Sequence, residues 1–349
     1  MGFFMQRDVL IVGFGLAGWA LTEALKKQDT SFVVFDTSKL SSSRVASGIY
    51  NPVVLKRFRA IWKASDIMDH SIPFYMQPKY LSALHPMPIH RIFASAAEQN
   101  DWSVATDKPD LSTFLNSNIL TNSSPNINTP CGVGVVENTG WIDTNALLTI
   151  GQQELENNAC FVNESFDYDG LSISSSGVSY KKWNAKHIVF AEGVGVSKNP
   201  WFAKLPIIPN KGEWLIVSCK GLALRQMVKG SVFIVPLGND LYRVGATYAR
   251  EFENVLPTEV GKEWLVARLT KLTNLPFSIV YHGAGLRPTT PDRKPVIGQH
   301  PVYDALWCIN GLGSRGVLWA PYLANLLTNA LKGKQKIAEV LHVRRFLTS

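Results

Sequence analysis

The 349-residue chain is 46% hydrophobic and 18% charged, and 35 Lys and Arg against 27 Asp and Glu leave a formal net charge of +8. A chain this long and this apolar buries a large core, as one big domain or two, which excludes intrinsic disorder and the collagen, coiled-coil and disulfide-scaffold classes. Its apolar runs fall short of the roughly 20 residues that a membrane-spanning helix needs, so no span is expected.

Arg7 and Asp8 interrupt the apolar Met1–Met5 before a leader of useful length forms, and Gln6 stands where a myristoylation signal starting at Gly2 needs Ser or Thr. The apolar run Val9-Leu10-Ile11-Val12 then reads as a buried parallel strand. Gly13-Phe14-Gly15-Leu16-Ala17-Gly18 follows, then helical spacing of apolar residues to Leu25, then a second strand, Phe32-Val33-Val34-Phe35, ending in Asp36. In such a unit Gly13 permits the tight turn, Gly15 lets a pyrophosphate approach the backbone, and Gly18 lets helix and strand pack closely. The helix N-terminus, with Leu16 and Ala17 in its first turn, offers free N–H groups and partial positive charge to phosphates. Asp36 can accept hydrogen bonds from ribose hydroxyls and repels a 2′-phosphate. This unit alone does not separate NAD from FAD.

Further along lie the small-residue stretch Arg44-Val45-Ala46-Ser47-Gly48, followed by Tyr50, and the basic stretch Lys56–Lys63. With its interleaved Phe58 and Trp62 the latter reads either as a grip on nucleic acid or as an amphipathic helix with Ile61 and Trp62 inward and the cations in water. Leu111–Pro130 is rich in Ser, Asn, Thr and Pro and reads as loop. Cys131, Cys160, Cys219 and Cys308 form no CxxC pair and have no His at ligand spacing, as expected of reduced thiols in a cytoplasmic protein with no metal site. Lys186–Gly193 reads as another strand running into glycine, with Glu192 just before Gly193. Phe233–Pro236 and Tyr242–Val244 read as a hairpin around Gly238-Asn239-Asp240. Leu306–Ile309 is a further strand, followed by Gly311-Leu312-Gly313-Ser314-Arg315-Gly316 and a helical pattern from Val317 to Leu331. No acid follows this second glycine loop at the distance a ribose needs. Its helix N-terminus suits the pyrimidine edge of a flavin, where it stabilises negative charge on the reduced ring.

With these stretches in hand, the chain resembles the glycine-oxidase and D-amino-acid-oxidase family of FAD enzymes. The N-terminal fingerprint, Arg44–Gly48, Gly285-Leu286-Arg287-Pro288-Thr289-Thr290-Pro291-Asp292 with Pro295–Gly298, and Gly311–Pro321 carry the resemblance. Weaker echoes are Gly140–Asp143, Lys211-Gly212-Glu213 and Val244–Thr247. The resemblance implies an α/β fold with a discontinuous, Rossmann-like FAD domain near 1–75, 140–210 and 281–349. It implies a substrate domain near 76–139 and 211–280 on a mainly antiparallel sheet, with the active site at the junction. The FAD contacts implied are Gly13, Gly15, Leu16, Ala17, Gly18 and Asp36, then Arg44, Ala46, Ser47 and Gly48. Gly193, Gly285 and Arg287 add to them, with Gly311, Gly313, Ser314, Arg315 and Gly316 from the last loop. FAD is expected to be noncovalent, because Gly285 stands where covalent relatives place a cysteine.

The implied chemistry is oxidation of a C–N bond in a small amino acid or secondary amine, by hydride transfer to flavin. It rests on positioning more than on a side-chain base. Arg287 is expected to hold the substrate carboxylate as a bidentate fork; the alternative is an internal pair with an acid such as Asp292. Arg315 is expected to bind an anion or steady reduced flavin, or else to sit on the surface. Tyr50 either lines the substrate cavity or is a buried structural residue, and Arg243 falls roughly where some amine oxidases place an oxygen-activating lysine. Glu192 departs from the small or uncharged residue usual there, and a carboxylate beside the flavin disfavours its anionic reduced form unless it points away. The last glycine loop is also similar to the oxidase domain of the bifunctional enzyme that matures the tRNA wobble uridine, which leaves tRNA as an alternative partner. A flavin-binding protein without turnover is a third reading, and the oligomeric state is open.

Overall fold

The computed structural model describes residues 5–37 and 41–347; the expectation about Gly2 lies outside them. One sheet is built on parallel strands in the order Phe161–Asn163, Phe32–Asp36, Met5–Val12, Trp183–Phe190 and Leu306–Asn310. Val296–Gln299 closes it in the antiparallel sense, and the hairpin of Leu171–Ser174 and Gly177–Tyr180 extends the first half of Trp183–Phe190. The central strands are apolar at consecutive positions because both faces are covered. Val9 and Ile11 point into one core cluster, whereas Leu10 and Val12 point into another.

Among the described residues six α-helices accompany the sheets: α1 (Leu16–Lys26), α2 (Ala64–Tyr75), α3 (Ala96–Thr106), α4 (Thr144–Asn157), α5 (Glu259–Thr270) and α6 (Gly316–Leu331). Helices α1 and α6 pack together, and α2 packs on α6. Pro321 inside α6 has no N–H for the carbonyl of Val317 four residues back. The Tyr75 hydroxyl on α2 donates to that carbonyl at 2.6 Å, and Ser71 donates to Leu318 O at 2.6 Å. Among the described residues no helix is long and apolar enough to cross a membrane.

The second sheet runs Ser278–Thr289, Ile208–Ser218, Leu241–Gly245, Phe233–Gly238, Met227–Lys229, Ile89–Ile92 and Val133–Val136. Its pairs are antiparallel except Met227–Lys229 with Ile89–Ile92, which matches the expected mainly antiparallel sheet. The expected hairpin closes through Asn239 and Asp240, both with positive φ (51° and 56°), the left-handed pair that suits right-twisted strands. One face packs on α5 through Leu215, Val217, Leu265 and Leu269. The other joins the main core through Ile89, Met227 and Val235. A small sheet of Ile49–Tyr50, Gly140–Ile142 and Leu84–Pro86 lies alongside. The strand Ser278–Thr289 passes unbroken through the boundary expected at residue 280.

The helix expected over Lys56–Lys63 is corrected: this stretch forms the hairpin Val53–Val54 with Arg59–Ala60. Phe58 sits in its turn with φ 43° and is buried, edge-on to Trp102 at 5.4 Å. Ile61 does point inward, and Trp62 stacks on Trp319. The aromatic residues are thus spent on the core, whereas Lys56, Arg57 and Arg59 remain exposed.

Candidate active site

The first glycine turn is held by contact rather than by composition alone. Gly13 has φ 100°, and a Cβ there would lie 2.6 Å from Ala191 O. A Cβ on Gly18 would lie 2.0 Å from Gly13 O, so α1 sits directly against the end of Met5–Val12. Gly15 faces the Ser43 side chain, whose Oγ accepts the Leu16 N–H at 3.0 Å. The Asp36 carboxylate accepts N–H groups from Phe14 and, at 2.6 Å, from Thr37. Arg44 reaches across to α4, donating to Asn145 at 3.2 Å, Thr149 at 3.1 Å and Gln152 at 2.7 Å. Gly48, at φ 65°, lies so close to Ile142 O that no side chain fits there, and Ser47 is exposed.

The second glycine loop meets the first. A Cβ on Gly316 would lie 3.1 Å from the Leu16 side chain, so the N-termini of α1 and α6 are neighbours and their positive ends converge. Asn310 ties this loop to the end of Trp183–Phe190, donating to Gly193 O at 2.8 Å and accepting the Gly311 N–H at 2.7 Å. Gly313 faces the Thr289 side chain, Gly193 faces Pro288, and Ser314 is exposed. Ser41 Oγ, two residues before the Ser43 that meets Leu16, is buried without a hydrogen-bond partner, as are Trp141 Nε1 in the small sheet and Thr144 Oγ1 at the start of α4. Two convergent helix N-termini, with the orphaned Ser41 hydroxyl in the loop against α1, fit a large polar, anionic cofactor such as FAD.

One face of the second sheet meets the loop Arg44–Gly48, with the Val45 side chain resting over Gly285. Asn210, Gly212 and Trp214 alternate along Ile208–Ser218, opposite Arg287, Gly285 and Gly283. Arg287 Nη1 donates to Asn210 Oδ1 at 2.9 Å and to Thr247 O at 3.3 Å. Its guanidinium lies across Gly212, where a Cβ would fall 2.1 Å from Nη2, and 5.7 Å from the Tyr248 ring. Tyr248 is 60% exposed, at the rim. Arg287 is not paired with Asp292, whose carboxylate binds Arg345 at 2.5 Å. Among the described residues neither Arg287 nor Arg315 has a carboxylate within ion-pair distance. Burial lowers the pKa of both; Tyr248 opposes this at Arg287, and Arg293 adds to it at Arg315. Two half-buried, unpaired guanidiniums leave positive potential for an anion.

Glu192 points away from this charge. Its carboxylate accepts the Tyr168 hydroxyl at 2.5 Å and the Asn199 amide at 2.8 Å, and burial raises its pKa. Tyr50 is 4% exposed, packs on Gly140 and is pushed up to about 12 by burial. On the opposite face of Ile208–Ser218, Lys211 and Glu213 pair at 3.1 Å. Against the pull of burial, the Thr258 N–H and hydroxyl and Lys211 hold the Glu213 carboxyl below its usual range. Asn210 and Tyr248 were not singled out in the sequence, and Thr247 stood there only within the echo Val244–Thr247, with no role. The alternation along Ile208–Ser218 was readable, but which face it turned to Arg287 was not.

Two glycine loops at the ends of parallel strands, facing an arginine-lined antiparallel sheet, define a dinucleotide-dependent oxidoreductase. The chain matches the profile of the FAD dependent oxidoreductase family (DAO) over residues 8–330 and belongs to that family. It is similar to glycine oxidase of Pseudomonas aeruginosa, 29% identical over 179 residues, covering 49% of this chain and 48% of that protein. It is also similar to the tRNA 5-methylaminomethyl-2-thiouridine biosynthesis bifunctional protein MnmC of Idiomarina loihiensis, 30% identical over 136 residues, covering 37% of this chain and 22% of that one. The chain thus aligns with half or less of the length of these curated relatives. Among solved structures, glycine oxidase from Bacillus cereus superposes with a TM-score of 0.78 at 18% identity, covering 95% of this chain and 96% of that one. L-proline dehydrogenase from P. horikoshii gives 0.78 at 16%, covering 96% of each.

Proposed function

We propose that this FAD-dependent oxidoreductase oxidises the C–N bond of a small amino acid or secondary amine that carries a carboxylate. The observation that carries the reading is Arg287: a half-buried fork, aimed by Asn210 and Thr247, with no carboxylate of its own among the described residues. It binds the substrate carboxylate, and the rim residue Tyr248 covers it. Arg315, from the second glycine loop, supplies positive charge near the reacting centre. FAD, when bound, supplies the two-electron acceptor. The protein orients the amine and its neighbouring C–H, excludes water and leaves Glu192 tied back to Tyr168 and Asn199. We take FAD to be noncovalent, since Gly285 faces Val45 and Cys308 is fully buried in the sheet. The division into cofactor segments 1–75, 140–210 and 281–349 and substrate segments 76–139 and 211–280 is part of this reading. The free cysteines accord with a reducing, cytoplasmic setting.

The exposed hairpin cations Lys56, Arg57 and Arg59, none in an ion pair among the described residues, favour a second reading, action on a modified uridine of tRNA. One experiment separates the two. Flavin absorbance is followed anaerobically while glycine, N-methylglycine, proline and undermodified tRNA are added in turn. Bleaching by a small amine, abolished in Arg287→Met, is the expected result. Bleaching by tRNA alone moves the activity to RNA, and flavin that nothing bleaches overturns both readings in favour of a non-catalytic flavoprotein.

A further inference from the structure

Arg243 lies in Leu241–Gly245, in register with Ile216 and Val235 on the second sheet. Its guanidinium stacks 3.7 Å over the Trp214 ring and binds no carboxylate among the described residues. Instead Nη1 donates to Ala46 O at 2.9 Å, and Nη2 donates to Val45 O. These carbonyls belong to the small-residue loop, 197 and 198 positions earlier in the chain. The Val45 side chain rests over Gly285, so the same loop is also seated on the strand that carries Arg287.

In a trans peptide the C=O and the following N–H point in opposite directions. Fixing the carbonyls of Val45 and Ala46 on Arg243 therefore turns the N–H groups of Ala46 and Ser47 away from the second sheet. The Ala46 N–H turns back to Ser43 O at 3.4 Å. The Ser47 N–H meets no protein acceptor among the described residues, and Ser47 is exposed. A planar fork on a rigid indole holds two adjacent carbonyls in one geometry; an ammonium, a point charge on a flexible stem, does not.

We propose that Arg243 is a positioning residue for the cofactor, a clamp that joins the second sheet to the loop Arg44–Gly48 and so sets the affinity for FAD. The inference rests on the FAD reading, and the test distinguishes their failures. Apo-protein is titrated with FAD, following tryptophan fluorescence, for wild type, Arg243→Lys and Arg243→Met, and each apo form is melted. The expected result is about ten- to hundredfold weaker FAD binding in both variants, the scale of lost hydrogen bonds to a charged group. The apo melting midpoints should stay within a few degrees, with faster amide exchange confined to residues 41–48. Failure of Arg243→Lys to rescue assigns the effect to the fork rather than to the charge.

Should Arg243→Met fail to fold, Trp214→Leu removes the platform under the guanidinium and is expected to weaken FAD in the same direction. Unchanged FAD affinity in the folded variants overturns the clamp. So does a fall in apo stability that accounts for the whole loss of binding. A wild-type chain that takes up no FAD overturns the cofactor reading itself.

Discussion

Gly212 shows how one residue without a side chain can decide a binding site. Its backbone conformation is ordinary for a strand, so the constraint is space: a Cβ would lie 2.1 Å from Nη2 and 2.4 Å from Cζ of Arg287. Gly212→Ala must push the guanidinium off Asn210 and Thr247 while leaving the fold nearly intact. We expect KM for a carboxylate substrate to rise about tenfold or more with a much smaller change in kcat, the signature of lost ground-state binding. Steady-state kinetics on the substrate found by the flavin titration check this. An unchanged KM would mean that Arg287 does not hold the carboxylate. Arg287 itself was singled out in the sequence as a fork within Gly285–Asp292, and the structure sets it inside the strand Ser278–Thr289 rather than on a turn. Asn210 and Tyr248, which aim and cover it, were not singled out, because they reach it only through sheet pairing and a loop folded over its edge.

At the scale of elements, helix α6 carries a proline that a surface helix would not tolerate cheaply. Pro321 removes the donor for Val317 O, and Tyr75 of α2 replaces it. Tyr75→Phe leaves that buried carbonyl unpaired and is expected to cost about 1–3 kcal/mol in urea unfolding. Adding Pro321→Ala restores a backbone N–H, so the double variant should lose clearly less than the sum of the single effects. Strict additivity would show that the two groups are not coupled. The hairpin at Val53–Ala60 teaches the opposite lesson. The cations and aromatics of Lys56–Lys63 were read as an amphipathic helix, with a nucleic-acid grip as the alternative. Burial of Phe58 against Phe93 and Trp102, residues distant in sequence, settled the backbone as a turn.

Across the whole molecule, the glycine and small-residue loops are tied to both sheets and to a helix: Gly311 and Gly193 through Asn310, Val45 and Ala46 through Arg243, and Arg44 to α4. A ligand bound to this junction stabilises the fold as a unit. FAD at a thousandfold excess over its Kd is expected to add about 4 kcal/mol. Stripping FAD should therefore lower the melting temperature. It should release amide protection mainly at residues 13–18, 41–48 and 311–316, as read by hydrogen exchange. Equal loss of protection over the second sheet would contradict a cofactor held chiefly by these loops.

The sequence by itself determined the local units of this protein, first among them the one that opens the first sheet. The strand, glycine turn, helix, strand and acid from Val9 to Asp36 are consecutive, and the forces that shape them act between near neighbours. The hairpin closed by Asn239 and Asp240 was legible for the same reason. Only the tertiary structure decided the rest. It turned Glu192 away from the site into a pocket of Tyr168 and Asn199, and gave Asp292 to Arg345 rather than to Arg287. It also set Arg243 on the loop at Val45 and Ala46. Each outcome is a choice of partner between charged or polar groups far apart in the chain. Such a choice depends on which atoms burial brings within hydrogen-bonding reach, and spacing along a sequence does not contain it.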